Sequence, residues 1–174
     1  MKANPGKETF GIVDKNTGAM MASVRGDVSS VDIAGAVKRI DKLDDTSHLI
    51  SVHNHPNSVA FSPEDVIVAS RTKAFYQMDD FYAFGNNREN VFRMRMTDDA
   101  VYALRGYELD NAIMLWEDYY RKGILECKEG YKITAEQMNI YASIVANRKM
   151  AKKFGYEFTG VYRETWRSGL LETI

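Results

Sequence analysis

The 174-residue chain has a single cysteine, Cys127. One thiol excludes an intrachain disulfide framework and a multi-cysteine zinc site. Proline is also scarce: Pro5, Pro56 and Pro63 all fall in the first 63 residues, and beyond them the pattern turns aromatic and helical. No apolar run approaches a membrane span, and no apolar signal core follows Met1-Lys2-Ala3-Asn4-Pro5-Gly6-Lys7. A reducing, cytoplasmic setting is therefore the expectation, and no membrane partner. The charges nearly cancel, 23 basic against 24 acidic, so nothing draws the whole molecule to nucleic acid or anionic lipid. A nucleic-acid partner is not expected. Repeats and low-complexity segments are lacking too. What is present is 45% hydrophobic and 27% charged, the balance of a globular chain long enough to bury a core.

Residues 8–14 read as a strand with Phe10 and Ile12 on one face, Asp14-Lys15-Asn16-Thr17-Gly18 as a turn, and 19–25 as the returning strand. Ile33, Val37, Ile40 and Leu43 stand at helical spacing over residues 31–43, with Ser30 and Asp32 as candidate caps. His48 to His53 reads as a short buried strand. Ser62-Pro63-Glu64-Asp65 is a strong helix start, with serine at the cap, proline at the first helical position and acids in the first turn. That helix should run to about Tyr76. Residues 81–84 and 91–96 read as two further strands around a turn at Gly85-Asn86-Asn87. Thr97-Asp98-Asp99 can cap a helix carrying Val101, Leu104, Ile113, Trp116 and Tyr120. Thr134 to Glu136 can start another, and residues 156–163 form a last short strand. The expectation is an α/β (α+β) fold, a mixed sheet flanked by helices over residues 1–97, with a mainly helical extension over 98–174 packed on it.

The chemistry is concentrated in residues 51–65. His53 and His55 sit two apart, a spacing that puts both side chains on one face of a strand. Two imidazoles so placed can bind one zinc ion. His48, five residues before His53, points to the other face. Pro56 stops the strand, and Asp65 lies in the first turn of the next helix, ten residues after His55. Its carboxylate can supply a third ligand and water the fourth, the open tetrahedral arrangement of a catalytic zinc site. Zinc would lower the pKa of that water to about 7. The site also needs a base. Glu64 is adjacent to Asp65, but neighbours on a helix diverge by about 100°, so it should point away. Glu8, at the head of the first strand, can arrive from across the sheet. Spacing alone does not choose between them.

Glu8-Thr9-Phe10-Gly11, then His53-Asn54-His55-Pro56, then Ser62-Pro63-Glu64-Asp65 resembles the motif of the JAMM, or MPN-domain, zinc metalloproteases. The His-Asn-His-Pro form is similar to the bacterial and phage branch that includes RadC-like proteins. The likeness covers about residues 8–97. It implies the family's cytidine-deaminase-like sheet, with His53, His55 and Asp65 as ligands of Zn²⁺. It implies Glu8 as general base, passing its proton to a leaving amine, and Ser62 as the group that stabilises the oxyanion. The implied activity is peptidase or isopeptidase action on a protein or peptide, such as the tail of a ubiquitin-like or other small protein. Family members usually carry a helix and strand before the glutamate, whereas seven residues precede Glu8 here. The rival expectations are a non-catalytic MPN-like assembly module, in a phage or mobile-element setting, and a RadC-like protein associated with DNA.

Other features have ordinary explanations. Arg93 and Arg95 suit a solvated sheet face. The basic run Arg148-Lys149-Met150-Ala151-Lys152-Lys153 opposes a helix dipole. Trp116, Tyr119, Tyr120 and Tyr131 suit a core or a helix–helix seam. The charges from Glu126 to Glu129 suggest an exposed Cys127.

Overall fold

The computed structural model describes residues 7–27, 33–85, 90–130 and 133–161. Its strands are β1 (Thr9–Asp14), β2 (Met20–Arg25), β3 (Leu49–His55), β4 (Asp80–Gly85), β5 (Val91–Arg95) and β6 (Glu157–Val161). Its helices are α1 (Ala34–Ile40), α2 (Pro63–Tyr76), α3 (Asp98–Leu104), α4 (Leu109–Gly130) and α5 (Ala135–Phe154). The fold is α/β: one mixed sheet in the order β2-β1-β3-β4-β5-β6, with five helices among the described residues. β3 and β4 are parallel, joined through α2 as a parallel pair requires. The other neighbouring pairs are antiparallel.

Strand alternation builds the core. Phe10 lies opposite His53 and Ile12 opposite Ser51; on the far side Ser51 pairs with Phe81 and His53 with Ala83. These residues share a face with Phe92 and Met94 of β5. Ala36 and Ile40 of α1, Val66, Ile67 and Ala69 of α2, and Ile140, Ile144 and Met150 of α5 join them in one buried cluster. On the opposite face Ile50, Val52, Tyr82 and Phe84 are only half-buried. The segment after residue 97 therefore contributes both to this core and, through β6 on β5, to the sheet.

Local chemistry sets the helix ends. Ser62 and Thr134 each form a reciprocal capping box, with Asp65 and Gln137, and the Thr97 side chain accepts from Ala100 N–H. Several boundaries differ from the sequence reading. β3 continues through His55. α1 begins after Ile33, which caps it without a side-chain bond; Ser30 and Asp32 lie outside the described residues, as do Asn86, Asn87 and Tyr131. The single helix expected after Thr97 is two, because Gly106 takes φ +77° and turns the chain between α3 and α4. A left-handed backbone suits glycine and no helix continues through it.

α4 and α5 pack closely at Gly123, where a Cβ would stand 2.8 Å from Ala142 Cα. Cys127, one turn along α4 from Gly123, is in this seam with Tyr141 and Val145. It is buried, not exposed, and burial, with the Glu126 charge adding to it, pushes its thiol up to about 11. Such a thiol is unreactive near neutral pH. Arg93 pairs with Asp80 at 2.6 Å and Arg95 lies 3.8 Å from Asp79, so neighbours on the sheet account for both. No described helix is long and apolar enough to cross a membrane.

Candidate metal centre

The site lies at the carboxyl end of β3, a strand with one antiparallel and one parallel neighbour, beside the start of α2. Open α/β sheets bind ligands at such places. The alternation that buries Leu49 and Ser51 brings His53 and His55 to the same face. After Pro56 the chain loops back so that the first turn of α2 lies above them. His53, His55 and Asp65 each offer a ligand atom, all within 4.8 Å of one another, and form the candidate metal cluster among the described residues.

The spacings can be compared with a bound ion. Zinc–nitrogen and zinc–oxygen bonds of about 2.0–2.1 Å in a tetrahedron put ligand atoms about 3.3–3.4 Å apart. Asp65 Oδ1 is 3.4 Å from His53 Nε2, and Oδ2 is 3.3 Å from His55 Nε2. The two Nε2 atoms are 2.8 Å apart, so the rings must part by about 0.5 Å to share a metal. With Asp65 Oδ1 as the third ligand atom, the donor chemistry and the His53–Asp65 edge fit a four-coordinate ion with one open position, the three ligand atoms lying within 4.8 Å of one another.

His55 and Asp65 are oriented from behind. His55 Nδ1 lies 2.9 Å from the Val59 carbonyl. A carbonyl only accepts, so Nδ1 carries the proton and the neutral ring offers Nε2 to the metal. Asp65 Oδ2 accepts the Ser62 N–H at 2.7 Å, and Ser62 Oγ accepts the Asp65 N–H at 3.2 Å. The capping box thereby holds one carboxylate oxygen and leaves Oδ1 for the metal. Ser62 Oγ still has its own hydroxyl proton to donate.

Glu8 comes from the head of the neighbouring strand, β1. Because β1 runs antiparallel to β3, its start falls beside the end of β3. Glu8 lines the same cavity of ≈790 Å³ as His53, His55, Ser62 and Asp65. Phe10, Ile33, Val59, Val68, Phe81 and Met94 supply apolar lining. Burial raises the Glu8 pKa, partly offset by His55. Glu64 is exposed and also lines this cavity, but it is not part of the metal cluster. His48 lies near Asp14 and Asp45, outside the residues that line this cavity.

Three polar side chains of the site's support carried no sequence signal that marked them. Asn54 is buried and bonds the backbone next to Glu8. Ser143 Oγ accepts the Ala60 N–H at 3.0 Å, and Asn147 Nδ2 donates to the Phe61 carbonyl at 2.8 Å. α5 thus pins the loop leading into Ser62. Burial of Ser143 and Asn147, four apart on a helix, is visible only once the helix is docked.

Electrostatics favour a proton where the metal would sit. Burial disfavours the charged form of both His55 and Asp65, but the attraction of Asp65 to His53 and to His55 prevails. It holds the His55 pKa above its ordinary 6.5 and the Asp65 carboxyl well below the usual range. Metal must displace that His55 proton. Zinc affinity should therefore fall about tenfold per pH unit below the His55 pKa, with the decline starting above pH 6.5. Competition titrations from pH 8 to 5.5 would show it; an affinity flat across that range would contradict the ligand assignment.

No family model matches the chain, and no curated protein matches it.

Proposed function

We propose that the chain is a zinc-dependent hydrolase of amide bonds, a peptidase or isopeptidase of the JAMM type acting on a protein or peptide. The observation that carries the reading is the convergence of two imidazoles and a carboxylate in one cavity with Glu8. Zinc held by His53, His55 and Asp65 would acidify a water molecule to a pKa of about 7 and polarise a carbonyl. Glu8 takes the proton from the attacking water and delivers it to the departing amine. Its raised pKa suits both halves of that exchange. The Ser62 hydroxyl donates to the oxygen that becomes negatively charged, while the Ser62 backbone keeps Asp65 in place. The apolar lining favours substrates with an uncharged, apolar group beside the scissile amide. The JAMM motif supports the assignment by matching the same five residues.

The test is digestion of a complex peptide mixture by zinc-loaded protein, with products read by mass spectrometry. Cleavages that disappear with chelator and return with zinc are expected. A mixture left intact, together with intact ubiquitin-like fusions, would contradict the reading.

A further inference from the structure

We infer that Asn54, between the two histidines, is a positioning residue that aims Glu8 at the metal site by gripping the backbone on either side of it; the inference rests on Glu8 being the base. Asn54 Oδ1 accepts the Thr9 N–H at 2.7 Å, and Asn54 Nδ2 donates to the Lys7 carbonyl at 3.0 Å. Those two groups bracket Glu8. The regular β1–β3 register is recorded up to Phe10 opposite His53. One residue further on, a side chain takes over.

From the other flank, Glu8 N–H donates to the Asp27 carbonyl at 2.7 Å, and the Glu8 carbonyl accepts the Gly26 N–H at 2.9 Å. The peptide units around Glu8 are therefore fixed by the backbone just past β2 and from β3 by one carboxamide. Alternation explains how Asn54 serves the site without lining it. His53 and His55 point into the cavity, and Asn54 points to the opposite face. There Ile50 and Val52 are half-buried, yet Asn54 is only 6% exposed. Its task needs a donor and an acceptor on one short side chain, which asparagine has and aspartate, leucine or alanine lacks. The same strand segment thus places two ligands on one face and the support for the base on the other.

The probe is acetohydroxamate, a chelator whose hydroxyl proton passes to a carboxylate beside the zinc. Its affinity for zinc-loaded protein is measured by calorimetry for wild type, Asn54→Ala, Glu8→Gln and the double variant. Amide hydrogen exchange at Thr9 is followed in parallel. Asn54→Ala should bind one zinc per chain as wild type does, expose Thr9 to exchange, and weaken acetohydroxamate by about 10- to 100-fold. In the Glu8→Gln background it should weaken the probe no further. Equal losses in both backgrounds, or loss of zinc itself, would show a merely structural role and overturn the inference. If Asn54→Ala does not fold, Asn54→Asp enters the same cycle; it retains the acceptor for Thr9 and loses the donor to Lys7. A wild-type protein that holds zinc and ignores the probe would remove the hydrolytic reading and this inference together. Additive losses with normal wild-type binding would remove this inference alone.

Discussion

Glu8→Gln should bind zinc as wild type does and lose hydrolysis by about 10²- to 10⁴-fold, the usual contribution of a positioned acid–base group. The substitution keeps the size and polarity of the side chain and removes only its ability to take a proton. Glu8 lies outside the three-residue metal cluster, so zinc stoichiometry should not move. The backbone bonds at residue 8, to Asp27 and from Gly26, do not involve the side chain, so stability should hold as well. Turnover with a cleaved peptide and metal content are measured on the same preparation. Unchanged turnover would remove Glu8 from the mechanism.

His53→Ala should have the larger effect on the metal. It removes one of three protein ligands, so zinc affinity should fall by more than the roughly 10- to 100-fold typical of losing an outer-shell partner. Hydrolysis should vanish with it. Without metal, His53 stands against Asp65 and lies tilted at 59° to Phe61, with ring centroids 5.8 Å apart, so a modest loss of stability is also expected. Thermal melts with and without zinc separate the two effects: wild type should gain stability from added zinc and the variant should not. A variant that still binds zinc with wild-type affinity would show that the ligand set is elsewhere.

Much of this architecture was readable because local rules and tertiary packing agree. Period-two alternation placed Phe10 with Ile12 and His53 with His55. Capping chemistry located the starts of α2, α3 and α5 at Ser62, Thr97 and Thr134. The failures are as physical. A helical pattern runs from Val101 through Leu104 to Trp116, and a lone glycine inside such a pattern costs only about 1 kcal/mol. Only the positive φ at Gly106 shows that the chain turns there. The charges at Glu126 and Lys128 misplaced Cys127, because neighbours on a helix face different directions. What matters for Cys127 is its position one turn from Gly123, in the seam with α5.

At the site, the ligand spacing was legible and the support was not. His53, His55 and Asp65 are close in sequence, so strand and helix geometry bring them together almost unaided. Glu8 is 45 residues from His53 and reaches the cavity only through the antiparallel pairing of β1 with β3. Asn54, Ser143 and Asn147 act on backbone groups, and nothing in their side chains marks which backbone they meet. The loop between His55 and Ser62 is held by α5 of the same chain.

The central claim is that this cavity is a zinc site. The most direct measurement is elemental analysis of the purified protein after zinc loading and gentle desalting, with Asp65→Asn alongside. The account predicts about one zinc per wild-type chain and little in the variant. No bound metal would contradict it, and so would stoichiometric iron, the other ion that two histidines and a carboxylate commonly hold.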